Sequence, residues 1–72
     1  MADRFMTALR GYDMNQVDAA LRQADEALAS GSETLRVAAQ KMLENVAFRQ
    51  RLRGYARDQV DRAVRERLSQ LG

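Results

Sequence analysis

The sequence predicts an all-α domain with three helices running up, down and up, coiled-coil-like seams between them, and two L-R-G-Y turns at one end. Three observations lead there. Proline is absent, β-branched residues are few, and Ala, Leu, Arg, Glu and Gln are common, a composition that favours helix. Apolar residues recur at spacings of three and four, the period of a helical seam. One segment also occurs twice. Phe5, Leu9-Arg10-Gly11-Tyr12 and Gln16-Val17-Asp18 return at an offset of 43 residues as Phe48, Leu52-Arg53-Gly54-Tyr55 and Gln59-Val60-Asp61. Eight matches within fourteen positions mark a duplicated structural unit.

The elements follow in order. Asp13 is placed to cap the first helix, with Gln16 completing a capping-box pattern. Met14, Val17, Leu21, Ala24 and Leu28 then form a heptad seam. Ser30-Gly31-Ser32 ends this helix, and either serine can cap the next; Ser30 with Glu33 makes a second capping box. The middle helix, about 33–47, carries Leu35, Ala39, Met42 and Val46 inward, flanked by Ala38 and Leu43. The third helix turns Val60, Val64, Leu68 and Leu71 inward with Ala63 beside them. Its cap position holds Ala56 where the first copy has Asp13, which loosens its start by about 1 kcal/mol.

The whole is one domain, 1–72, of two repeats (5–28 and 48–71) joined by the middle helix. A three-residue link forces the first two helices antiparallel. The chain therefore returns to where it began, and both L-R-G-Y turns fall at the same end.

Seventy-two residues bury only ~60% of their unfolded surface, so regular packing or self-association has to supply stability. Cysteine and histidine are both missing, which removes disulfides, the usual metal ligands and most nucleophilic chemistry; no enzyme, cofactor or metal is expected. No signal peptide or apolar run of ~20 residues is evident, so the expectation is a cytoplasmic protein. Net charge is +2, but residues 37–72 hold eight Lys or Arg against four acids, and Arg49 to Arg57 contains four arginines and no acid. Such a stretch suits phosphate on lipid or nucleic acid, and equally a solvated helix face.

At the turns, Gly11 and Gly54 call for positive φ or a close approach that a Cβ would block. Tyr12 and Tyr55 are expected to lay their rings over the seam, hydroxyls toward water or backbone, while Phe5 and Phe48 plug the top of the core. Asp18 and Asp61 favour the positive end of a helix dipole and are within reach of Arg10 and Arg53. Leu9-Arg10 and Leu52-Arg53 have two readings. Either the leucines enter a membrane interface while the arginines pair with phosphate, or the leucines pack inward and the arginines are merely solvated.

These residues resemble the DivIVA family of bacterial cell-division and polar-growth proteins. The likeness rests on Phe5 with Arg10-Gly11-Tyr12-Asp13 and Val17-Asp18, and on Phe48 with Arg53-Gly54-Tyr55 and Val60-Asp61. It implies a parallel coiled-coil pair with crossed loops at one tip that touches membrane. The implied contact residues are Leu9, Arg10, Leu52 and Arg53, with leucine standing where the family has an aromatic. The duplication further suggests an internal pseudo-dimer, helices one and three replacing two subunits.

The function so implied is a non-enzymatic adaptor of division or polar growth. It would bind partner helices and anionic membrane through the L-R-G-Y turns, as a homodimer at the inner face of the membrane, at pole or septum. The alternative is a small basic nucleic-acid-binding protein using Arg49, Arg51, Arg53, Arg57, Arg62 and Arg65, against which Asp58, Asp61 and Glu66 are interspersed.

Overall fold

A computed structural model describes residues 5–72. Its elements run β1 (Thr7–Tyr12), α1 (Met14–Ser30), α2 (Glu33–Asn45), β2 (Gln50–Tyr55) and α3 (Arg57–Leu71). The fold is therefore α+β, and the expected all-α helical bundle is corrected. Both L-R-G-Y segments, read as turns, are strands that pair with each other in a two-stranded sheet.

Across Thr7↔Tyr55, Ala8↔Gly54, Leu9↔Arg53, Gly11↔Arg51 and Tyr12↔Gln50, numbers rise on one strand as they fall on the other. This is an antiparallel register. Two flanking bonds extend it, from Asp13 N–H to Arg49 O and from Ala56 N–H to Met6 O, each 2.8 Å. The ladder is irregular: it skips Arg10, whose φ is 61°, and at its end Tyr12 also lies beside Tyr55, where the chains run in the parallel sense. An extended segment exposes backbone donors and acceptors at every residue, and here each copy satisfies those of the other.

The helices begin and end for local reasons. Asp13 caps α1, its Oδ1 accepting from Gln16 N–H at 3.0 Å. Gly31 closes α1 in the left-handed region, at φ 70°, a conformation that glycine adopts without a Cβ penalty. Ser32, not Ser30, caps α2, its Oγ accepting from Leu35 N–H at 3.3 Å. Ser30 instead donates to Ala27 O and accepts from Ser32 N–H, which tightens the link. Ala56 leaves α3 without a side-chain cap.

The core has two parts. Beneath the paired strands, Val17 and Val60 are fully buried with Leu21 and Ala63, and Phe5, Tyr12, Phe48 and Tyr55 close over them. Farther along, Ala20, Ala24 and Ala27 of α1 meet Ala39 and Leu43 of α2 and Leu71 of α3. The small residues let α2 lie close against α1. The face of α2 differs from the expected one: Ala39 and Leu43 are buried, while Leu35 is 51% exposed. Arg36, one position on, donates from Nη2 to Gln70 O, so the helix is rolled to bring 36, 39 and 43 inward.

Because α2 carries the chain back, α1 and α3 lie parallel. Tyr12, before α1, bonds Asp61 at the start of α3, and Asp25 late in α1 pairs with Arg67 late in α3, Oδ1 to Nε 3.1 Å. The Arg67 guanidinium that Asp25 meets is itself buried.

Candidate docking tip

The site is the clasp formed by β1 and β2. At its crossing Gly11 and Gly54 touch backbone to backbone. A Cβ on Gly11 would collide with Gly54 C and sit 2.5 Å from Tyr55 O; one on Gly54 would strike Tyr12 O and lie 2.7 Å from Gly11 C. Close approach, rather than positive φ, is what these glycines provide, since among the described residues only Arg10 and Gly31 have positive φ.

The tyrosines tie the two repeats together reciprocally. Tyr12 Oη donates to Asp61 Oδ1 at 2.9 Å, and Tyr55 Oη donates to Asp18 Oδ1 at 2.9 Å. The expected hydroxyl partners, water or backbone, are replaced by carboxylates of the opposite copy. The expected bonds from Arg10 and Arg53 to those aspartates give way to the same pairs. Each ring also stacks at a tilt on the phenylalanine of the opposite copy: Phe5–Tyr55 at 5.2 Å and Tyr12–Phe48 at 5.3 Å between centroids. The two glutamines reach across as well. Gln16 Oε1 accepts from Arg49 N–H at 2.7 Å and Gln59 Oε1 from Met6 N–H at 2.8 Å, so Gln16 bridges repeats rather than closing a capping box.

Partial burial raises the pKa of both tyrosines above the usual 10.0, and the hydrogen bonds to Asp61 and Asp18 push the same way. A raised folded pKa means the stabilisation is complete below the unfolded value and is lost as pH rises through the folded one. Helix content is therefore expected to hold up to about pH 10 and to fall above it, together with the appearance of tyrosinate absorbance. Tyr12→Phe with Tyr55→Phe should remove that alkaline step. Tyrosinate forming at or below pH 10 with helicity intact would contradict the half-buried, carboxylate-bonded phenols.

One ion pair was not legible beforehand. Arg51 Nε lies 2.8 Å from Asp13 Oδ2. The Arg51 guanidinium holds the Asp13 carboxyl below its ordinary range, and the Gln16 N–H assists. The pair links residues 38 apart, so no local motif signals it.

Outside these bonds the clasp presents Leu9 and Leu52 to solvent, 76% and 80% exposed, and Met6, just before β1, is 70% exposed. Arg10, Arg49, Arg51 and Arg53 are exposed on the same two segments. The structure thus brings Leu9, Arg10, Leu52 and Arg53 together on paired strands, and leaves both leucines outside the core. Phe5, Gly11, Tyr12, Val17 and Asp18 meet Phe48, Gly54, Tyr55, Val60 and Asp61 beneath them. Arg57, Arg62 and Arg65 are exposed along α3, in alternation with the exposed Asp58, Asp61 and Glu66.

Among the described residues, no group of three or more His, Cys, Asp or Glu is placed to hold a metal, and no helix is long and apolar enough to cross a membrane. Comparison with protein-family models, with curated proteins and with solved structures finds no match.

Proposed function

We propose that the protein is a non-enzymatic DivIVA-like interaction module, an adaptor of bacterial division or polar growth that meets anionic membrane with its clasp. The observation that carries this reading is the pair of leucines on adjacent strands, each more than three-quarters exposed and each followed by an arginine. A large aliphatic side chain held in water by a glycine-pinned backbone gains by entering an interface. Arginines beside it then reach the phosphate layer, each worth about 1 kcal/mol near an anionic surface. The bonds between Tyr12 and Asp61 and between Tyr55 and Asp18 hold the two tips in one orientation, so both engage together.

Sedimentation with vesicles tests this. Wild-type protein should pellet with vesicles containing phosphatidylglycerol, much less with phosphatidylcholine alone, and less as salt is raised. Arg10→Glu with Arg53→Glu should weaken retention by at least about tenfold. Leu9→Asp with Leu52→Asp should do the same while leaving the thermal transition in place, because neither leucine is part of the core. Unchanged retention in both double variants would overturn the proposal.

A further inference from the structure

Most contacts that close the clasp are blind to which repeat supplies them. Tyr12 donates to Asp61 and Tyr55 to Asp18, and the two tyrosine–phenylalanine stacks and the two glutamine bridges are reciprocal in the same way. Each side chain involved has an identical counterpart 43 residues away. Two first repeats from two molecules would therefore offer each other the same set: Tyr12 to Asp18, Phe5 to Tyr12, Gly11 against Gly11. Two ion pairs break this equivalence. Arg51 Nε meets Asp13 Oδ2 at 2.8 Å across the strands. Between α1 and α3, Arg67 donates from Nε to Asp25 Oδ1 at 3.1 Å and from Nη2 to Asp25 Oδ2 at 3.4 Å. Among the described residues, Arg67 is the sole polar or charged one that is buried. None of the four charges has a charged counterpart. Asp13 corresponds to Ala56, Arg51 to Ala8, Asp25 to Leu68 and Arg67 to Ala24.

We propose that these two pairs form a selection code: they close the first repeat on the second repeat of the same chain and turn away the like repeat of a second copy. Pairing of two first repeats would set Asp13 against Ala8, and Asp25 against Ala24, of the other molecule. Pairing of two second repeats would set Arg51 against Ala56 and Arg67 against Leu68. Arg67 weighs most, because its guanidinium would stay in a buried place while losing Asp25 and gaining a leucine. The Arg51 side chain is 55% exposed, so its pair with Asp13 contributes less. Such a choice matters in a duplicated chain. Like pairing at both repeats would join molecules end to end, with a second interface always left to fill. The α2 tether favours closure within one chain while molecules are dilute. The charge pairs preserve that closure when many copies are crowded together, by penalising the wrong match. The inference is independent of the membrane reading, and its test contains no lipid.

Sedimentation equilibrium of the full chain across a range of concentrations tests this. Asp25→Leu with Arg67→Ala, and Asp13→Ala with Arg51→Ala, give each charged position the residue of its counterpart. Replacing a buried ion pair by apolar residues is often neutral for stability, so helical circular dichroism should persist. The weight-average mass of the first double variant should climb with concentration, and that of the second less so. Combining the four substitutions should give at least about twice the wild-type mass near 500 µM or so. Asp25→Arg with Arg67→Asp restores an opposite-charge pair in reversed order. It should return the mass to the wild-type curve, which a mere loosening of the helices would not do. The proposal is overturned if the four-residue variant follows the wild-type curve, or if the reversed pair assembles as the neutral one does. Loss of helical signal in both double variants would overturn it too, since the pairs would then hold the fold rather than choose the partner.

Discussion

Gly11→Ala and Gly54→Ala are each expected to abolish the cooperative fold at room temperature. At either position a Cβ would run into backbone atoms of the opposite strand, and backbone cannot swing aside as a flexible side chain can. Relief requires separating β1 from β2, which uncovers the cluster around Val17 and Val60 and removes both tyrosine–aspartate bonds. For a chain of 72 residues total stability is about 4–10 kcal/mol, and losing the strand pairing consumes most of that. Gly31→Ala is the control. Nothing lies within 4 Å of a Cβ there, and the cost is only that of a left-handed φ of 70°, about 1 kcal/mol. Thermal melts followed by circular dichroism should show no transition for either clasp variant and a modestly lowered one for Gly31→Ala. Native-like melting of Gly54→Ala would mean the strands do not cross as described.

The second large effect is expected from the pair of valines. Val17 and Val60 occupy the same position in the two repeats, and both are completely buried in one cluster. Truncation to alanine removes two carbons from each and leaves a void that the aromatic lid cannot fill, about 2 kcal/mol apiece. Because they share neighbours, the double variant should depart from additivity. Leu9→Ala and Leu52→Ala, by contrast, should change stability by no more than about 0.5 kcal/mol, since both leucines already face solvent. Chemical denaturation of the four single variants and the valine double separates core from tip. Equal destabilisation by Leu9→Ala and Val17→Ala would place the leucine in the core after all.

Much of the architecture could be read from residues whose roles are local. Asp13 beside Gln16, the glycine between two serines, and the bare alanine at 56 each act within a few positions, so their consequences at helix ends follow from spacing alone. The repeat at offset 43 places the two tyrosine corners at one end once a single helix runs between them. What escaped was non-local. The L-R-G-Y segments have neither alternating polarity nor a β-branched run, and they are strands only because each meets its own copy. Asp18 and Asp61 carry no mark that distinguishes a dipole-stabilising carboxylate from one that receives a phenol of the other repeat. The rolled face of α2 escaped for a similar reason, since Leu35 and Leu43 are equally apolar and only the small side chains on α1 decide which is covered. At the tip, Arg10 and Arg53 were legible as candidate membrane contacts and Arg49 and Arg51 as part of a basic stretch suited to phosphate, whereas the salt link of Arg51 to Asp13 depended on strand register.

Fusing the two halves of the clasp into one polypeptide has a consequence for how the tip responds to dilution. When strands come from separate molecules, their joining obeys mass action and fades at low abundance. Here α2 tethers β2 near β1 at an effective local concentration fixed by a rigid 13-residue rod, whatever the number of molecules present. The tip is therefore complete in a single copy, and its two sides are free to diverge, as the salt link of Arg51 to Asp13 on one of them shows.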